Sequence, residues 1–434
     1  MVISFTNDAT NNLKNNLINN YNIEIDIYTF HKLSLKILKD NNYPYNIAID
    51  NLLDITIDNF FECILPNNPK LKKAINIILG KKYTSKELNN LKRLIKTFIS
   101  LFKSNNHNFT HYLTILKKIK YTFNLKEYIT NKYILLIIIN IHLLYIDELS
   151  KDNMLDFDDM INKCSELIND NCMLPNWKYI IIDEYQDTSL TKLKFIKKII
   201  EKTNGKFLAV GDDFQSIYRF TGCDLNLFLN FDKYFEYSKI FKIVNTYRNP
   251  QELINIAGSF IMKNPKQQKK KLLSSKHIEH PIIIYETNNY IKTLKYLINL
   301  INNNIMILSR NNNDIKKYID DEYKQLDKNT YIYNNISFKY LTIHRSKGLE
   351  ENNIIIINTE DNITSIPTKI KNDKLLKYVN KEKDYYPYEE ERRLFYVALT
   401  RTKNRVYIIT PEHNKSIFIN ELLKNKTIKK INYK

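Results

Sequence analysis

Glycine is scarce in this sequence. The six glycines stand at positions 80, 205, 211, 222, 258 and 348, and none has the spacing of G-x-x-x-x-G-K-[ST]. These 434 residues therefore hold no phosphate-cradling loop of that type. Cysteine is rarer still. Cys63, Cys164, Cys172 and Cys223 form no CxxC pair and lie near no histidine ligand pattern, which argues against a structural zinc site and a disulfide framework. No apolar run is long enough to cross a bilayer: the most apolar, Tyr133 to Leu144, is too short, contains His142, and predicts a buried helix. No basic segment followed by an apolar one opens the chain, so no secretory signal is expected. Together these absences predict a soluble intracellular protein with reduced cysteines and no membrane partner.

At this length two or three domains are expected rather than one core. Lys+Arg exceeds Asp+Glu by 66 − 47 = 19, which suits an anionic partner such as nucleic acid. Asn, Ile, Lys, Tyr and Phe are abundant while Pro (10) and Trp (1) are few, the pattern of an AT-rich coding sequence. The basic balance thus has two explanations, a binding surface and codon bias, and composition does not separate them.

Short apolar runs alternate with helical patterns at both ends of the chain. A strand at Val2–Phe5, a helix from about Ala9 and a strand at Ile23–Tyr28 predict a parallel sheet with crossover helices. From about Leu52 to Tyr145 the pattern is helical and rich in Lys and Asn. Buried strands are expected at Tyr179–Ile182 and Phe207–Val210. After the basic run Asn264–Lys271, a second α/β unit is predicted, with strands at Ile282–Tyr285, Ile305–Leu308, Leu341–Ile343, Ile354–Ile357 and Arg405–Ile409.

The strongest local signal is the strand Tyr179–Ile182 running into Asp183-Glu184-Tyr185-Gln186-Asp187. Two carboxylates at the carboxyl edge of a parallel sheet stand where such sheets bind ligands. In nucleotide hydrolysis the first suits Mg²⁺ and the second suits activation of water. The plainer alternative is a strand capped by acids. Next comes Gly211-Asp212-Asp213-Phe214-Gln215-Ser216-Ile217-Tyr218-Arg219-Phe220, where Gln215 suits a γ-phosphate or its water, and Tyr218 and Phe220 offer flat faces for bases. Two core aromatics are the plainer alternative for that pair.

These two segments resemble motifs II and III of UvrD/Rep-type superfamily 1 helicases. The other motifs follow in family order. Ser4-Phe5-Thr6-Asn7-Asp8-Ala9 is similar to motif Ia, Thr29-Phe30-His31 to the next, and Leu155-Asp156-Phe157-Asp158-Asp159 to the segment preceding motif II. Asn245 to Asn249 resembles motif IV, Thr342 to Glu350 motif V, and Glu390 to Arg401 motif VI. The stretch from Gly211 to Lys271 and the short span between motifs IV and V look most like the DNA helicase IV branch.

The resemblance implies an α/β fold of two RecA-like parallel-sheet domains with an inserted helical subdomain. The expected boundaries are 1–60 and 151–244 for the first domain, 61–150 for the insert, and 245–434 for the second domain with a short insert near 311–339. It implies a 3′→5′ DNA helicase or translocase using ATP and Mg²⁺, working on single-stranded DNA or on duplex with a 3′ tail, in repair or replication. Asp183 would hold Mg²⁺ and Glu184 would be the general base. Gln215, Arg248 and Arg401 would contact the γ-phosphate, since the planar fork of arginine fits phosphate oxygens. Tyr247, Gly348 and Glu350 would bind the nucleotide, Tyr247 by stacking on adenine and Glu350 at the ribose. Phe5, Thr6, Thr29, His31, Tyr218, Phe220, Thr342 and His344 would line the DNA path, although His31 and His344 equally suit structural histidines and each arginine a surface ion pair.

Two departures qualify this. The family places a G-x-x-x-x-G-K-[ST] loop, with its strand and helix, before motif Ia, and here motif Ia begins at Ile3 or Ser4. The first sheet is therefore expected to lie open where that strand belongs. Either further sequence lies upstream, or this is a degenerate helicase acting as an ATP-inert single-stranded DNA-binding module or half of a split motor. Retention of both arginines favours the former. Second, Arg310 to Lys339 is short where larger relatives carry a bulky helical domain.

Overall fold

A computed structural model describes residues 1–120, 124–169, 172–370, 373–380 and 385–433. The chain forms two compact units: residues 1–211, 218–228 and 372–383, and residues 212–217, 229–371 and 384–434.

The first unit is built on four short strands. β1 (Val2–Ser4) is buried throughout and pairs in parallel with β2 (Ile27–Thr29). Each strand feeds a helix whose first turn is capped by a threonine, as a side-chain oxygen at that position satisfies an otherwise unpaired N–H. Thr6 caps α1 (Asn7–Tyr21), accepting from Ala9 N at 3.1 Å, and Thr29 caps α2 (Phe30–Asp40), accepting from Lys32 N at 3.3 Å. A two-residue pair, β3 (Asn46–Ile47) with β4 (Met154–Leu155), brackets five helices: α3 (Leu52–Asn59), α4 (Pro69–Leu79), α5 (Ser85–Ser104), α6 (Thr110–Lys120) and α7 (Leu125–Lys151). α8 (Phe157–Asn169) then leads to β5 (Tyr179–Ile182), and α9 (Leu190–Thr203) to β6 (Lys206–Ala209).

The sheet order is β2-β1-β5-β6, all parallel, and it is continuous. β5 and β6 pair directly, Ile180 opposite Phe207 and Ile182 opposite Ala209, since backbone groups left unpaired in a sheet interior are costly. What remains open is the outer side of β6, where Leu208 is 54% and Val210 40% exposed.

The helices share one core, in which Ile95, Phe98, Phe102, Ile115, Ile138 and Ile141 are buried almost completely. α7 extends well beyond the apolar run Tyr133–Leu144 and so, contrary to the expectation from that run, is long and apolar enough to cross a membrane by length and composition alone; Ile134, Leu135, Ile137, Ile138 and Ile141 nevertheless pack into this core. The same core takes up a segment distant in sequence. Leu375 and Val379 are fully buried in it, and the carbonyl of Val379 accepts from the Asn105 amide at 3.1 Å.

The second unit carries an eight-stranded sheet. Its strands are β7 (Ile282–Thr287), β8 (Ile305–Ser309), β9 (Lys324–Gln325), β10 (Thr330–Tyr333), β11 (Ile336–Thr342), β12 (Glu351–Ile356), β13 (Thr402–Pro411) and β14 (Lys429–Asn432), in the order β14-β7-β13-β12-β8-β11-β10-β9. Pairing is parallel except for β11-β10-β9, so the short span after Arg310 turns back as an antiparallel edge. β9, β10 and β14 are additional to the strands predicted above. Behind the sheet lies the helix Glu389–Thr400, buried along nearly its whole length.

Leu375→Ala should lower unfolding free energy by about 2–5 kcal/mol, as for other buried leucines. Lys374→Ala, next to it but exposed and paired with Glu127, should cost less than about 1 kcal/mol. Urea denaturation followed by circular dichroism checks both.

Candidate functional site

In the first unit the acidic pair stands at the carboxyl end of β5. Glu184 has φ 53, a left-handed conformation uncommon outside glycine, and its N–H is held by Asp183 Oδ1 at 2.9 Å. Tyr185 N then reaches across to Val210 O at 2.8 Å, which ties the turn after β5 to the end of β6. Gly211 follows, and glycine is required there: a Cβ would lie 2.5 Å from Gln186 Oε1 and 2.8 Å from Phe228 Cε2. The Gln186 amide in turn donates to Glu184 Oε2. Backbone strain of this kind persists only where surrounding bonds over-determine it, and it clusters at functional turns.

Asp183 is a half-buried carboxylate at the sheet edge. Among the described residues no three His, Cys, Asp or Glu side chains group closely enough to enclose a metal. A single carboxylate suits magnesium, which is commonly held by one or two carboxylates while phosphates and water complete its shell.

The rings of this unit expected along the DNA path fall into three groups. Phe5 packs edge-on against Phe30 at 5.4 Å, with Lys192 Nζ 4.5 Å from the Phe5 ring. His31 packs on Phe157 at 4.8 Å. Tyr218 and Phe220 sit 6.0 Å apart, Phe220 being 56% exposed. Burial, then the negative charges of Asp187 and Glu184, push the Tyr218 hydroxyl up to about 12. Thr6 and Thr29 have a defined structural duty as helix caps. Sequence patterns gave Phe157 and Lys192 no role. Phe157 lies in the Leu155–Asp159 segment and is 51% exposed, so an exposed aromatic inside a recognisable motif was the available signal. The acids of that segment are structural: Asp156 and Asp159 both pair with Lys103, and Tyr145 donates to Asp156 at 2.8 Å. Burial raises Asp159 to about 6 and Asp158 to about 7.

In the second unit, Arg401 is 1% exposed and its guanidinium donates to Val397 O (3.1 Å), Leu349 O (3.4 Å) and Gln215 Oε1 (3.1 Å). Gln215 therefore meets Arg401 within one unit, because residues 212–217 pack there and not with the strand they follow. Arg248 Nε donates to Glu350 at 2.6 Å, and Lys403 pairs with the same carboxylate at 2.8 Å. The two cations hold Glu350 below the usual carboxylate range, Lys403 more strongly than Arg248. Gly348 adopts φ 82, which disfavours any side chain, and no atom lies within 4 Å of where its Cβ would be. Tyr247 is 88% exposed. Thr342 ends β11 and His344 lies in the turn after it, where burial and then the charge of Arg310 push the imidazole down to about 4.

Arg393 was given no role by sequence patterns. It is 1% exposed and donates to Ser216 O at 2.6 Å, to Gln267 at 3.4 Å and to Glu389 at 3.2 Å. Its position in an acid-rich helix predicts only a local ion pair; the bond to Ser216 spans 177 residues.

His31, like His344, is pushed down to about 4, by burial first and Lys192 second. Between pH 6.5 and 4 the unfolded imidazole takes up a proton that the folded one refuses, so stability falls as pH drops through that window. Replacing both histidines by glutamine should flatten this fall, measured as unfolding free energy against pH and subtracted from the parent.

Comparison with known proteins places these features. The UvrD/REP helicase N-terminal domain family matches residues 1–236, and the UvrD-like helicase C-terminal domain family matches residues 320–413. The chain is 28% identical to DNA helicase IV of Escherichia coli over 64% of its own length and 40% of that protein. It is 26% identical to the ATP-dependent DNA helicase Rep of Buchnera aphidicola (subsp. Schizaphis graminum) over 99% of its own length and 61% of that protein. With DNA helicase II of Rickettsia typhi the figures are 29% identity, 63% and 39%. The chain thus spans 39–61% of the length of these relatives.

Proposed function

Since this chain belongs to the UvrD/Rep helicase family, we propose that it is the motor part of an ATP-driven DNA helicase or translocase that moves 3′→5′ along single-stranded DNA. The carrying observation is the buried Arg401 guanidinium meeting the Gln215 amide at 3.1 Å, with Arg248 on the same unit. Two arginines and one glutamine form a donor-rich set suited to the terminal phosphate of a nucleotide, where charge builds up during transfer. Tyr247 offers a free-standing ring for a base. Glu350, paired with Arg248 and Lys403, would exchange one of those partners for a ribose hydroxyl.

In the first unit Asp183 would hold magnesium, which supplies neutralising charge to phosphates when bound. Glu184 would take a proton from the attacking water. Phe5, Tyr218, Phe220 and Phe157 would stack on unpaired bases, and Lys192 would add positive charge beside Phe5. Thr6, Thr29, Thr342, His31 and His344 would frame that path. The strand polarity and a role in repair or replication rest on family resemblance.

A second reading is favoured by one feature, the lack of G-x-x-x-x-G-K-[ST] within these 434 residues. It is a single-stranded DNA-binding module, or half of a motor whose phosphate loop lies on other sequence. ATP turnover by these residues is accordingly expected to be weak or absent. DNA-stimulated turnover that Glu184→Gln abolishes would reject the inert reading and support the enzyme.

Tyr218→Ala with Phe220→Ala should weaken binding of a single-stranded oligonucleotide by about 1–3 kcal/mol per lost stack. Fluorescence anisotropy at fixed salt checks this, and unchanged affinity would remove these rings from the path.

A further inference from the structure

Gln215 lies on a six-residue turn, 212–217, that is held on the second unit by residues far from it in sequence. Lys270 comes from the basic run Asn264–Lys271, which the proposed function leaves without a task. It is not presented to solvent: its side chain is 16% exposed, and its ammonium pairs with both Asp212 and Asp213 and lies 4.3 Å from the Phe214 ring. Asp213 is fully buried and also accepts from Gln267 Nε2 at 2.7 Å and Gln268 N at 2.9 Å. Asp212 has a different second partner. While one oxygen takes Lys270, the other accepts from Gln215 Nε2 at 2.8 Å. Gln215 Oε1 accepts from Arg401.

The bonds form one chain, Lys270 to Asp212 to Gln215 to Arg401. Its chemistry fixes the direction of the Gln215 amide. A carboxylate accepts only and a guanidinium donates only, so the NH₂ must face Asp212 and the oxygen must face Arg401. Asp212 is itself held in place: Lys270 grips its other oxygen and also grips Asp213, which Gln267 and Gln268 anchor.

We propose that Lys270 is the positioning residue for Gln215: by gripping Asp212 and Asp213 together it fixes the Asp212 carboxylate where it accepts from the Gln215 NH₂, and so holds the Gln215 amide in one orientation at Arg401. Lys270 thereby acts inside the protein and is no part of a nucleic-acid surface, whereas Lys266, Lys269 and Lys271 of the same run are exposed. The use made of Gln215 rests on the proposed function; its orientation by Lys270 does not, and the test needs no nucleotide.

The test reads the side-chain amide protons of Gln215 by NMR in protein labelled with ¹⁵N-glutamine, assigned by their loss in Gln215→Met. The parent should show two well-separated, slowly exchanging amide signals. Lys270→Met should lose this signature, moving the signals to the positions of solvent-exposed glutamines, and Lys270→Arg should restore it. A role limited to general stability would lower the melting temperature of Lys270→Met without selectively moving Gln215. If Lys270→Met does not fold, Lys270→Gln serves, since it keeps a polar side chain while removing the ammonium that grips both carboxylates; it should lose the same signature. Gln215 signals unchanged in folded Lys270→Met, or in folded Lys270→Gln, would overturn the proposal. Should the signature behave as expected while the protein shows no affinity for ATP, the positioning stands and the nucleotide reading fails.

Discussion

Burying a guanidinium demands acceptors, because the charge cannot be neutralised by losing its proton. The helix Glu389–Thr400 and the residue after it bury two, Arg393 and Arg401, each about 1% exposed. Arg393 has a carboxylate, Glu389, together with the carbonyl of Ser216. Arg401 meets carbonyl and amide oxygens, those of Val397, Leu349 and Gln215. Two of these acceptors, Ser216 O and Gln215 Oε1, belong to the turn 212–217. The need to satisfy the arginines therefore draws that turn onto the second unit, and Gln215 arrives beside Arg401 as a consequence.

The first unit shows another economy, with the same side chains serving shape and surface. Thr6 and Thr29 cap the helices that follow β1 and β2, so each fixes the start of a helix while standing at the end of a strand. His31 is neutral through burial and supports the exposed ring of Phe157. Phe5 rests on Phe30 under the ammonium of Lys192. Rings held from behind in this way lose little freedom when a flat partner settles on them, which is what a stacking surface needs.

Family membership was legible because the motifs are local. An apolar strand ending in Asp183-Glu184, a turn beginning Gly211-Asp212 and the Glu390–Arg401 helix are each contiguous, and their order along the chain is specific. The main strands of the second sheet were legible for the same reason, as Ile-rich apolar runs between polar residues, at Ile305–Ser309 and Ile354–Ile356 for example. β14, with the sequence Lys-Lys-Ile-Asn, has no apolar run and forms a strand because β7 offers an edge for it to pair with. β9 and β10 likewise depend on β11.

The amino-acid sequence by itself determined the family and its parts: parallel-sheet units, an inserted set of helices, and the acid pair, glutamine and arginines that the proposed function assigns to a nucleotide. Periodicity and contiguous motifs encode these over a few residues, where chain connectivity does the placing. Tertiary structure alone decided which unit the pieces join. Leu375 and Val379 enter the helical core of the first unit, β5 closes directly on β6, and residues 212–217 leave β6 for the second unit. Each of these is settled by burial of apolar side chains or by satisfying a buried charge or backbone group across 27 to 274 residues of chain, a requirement that no local pattern records.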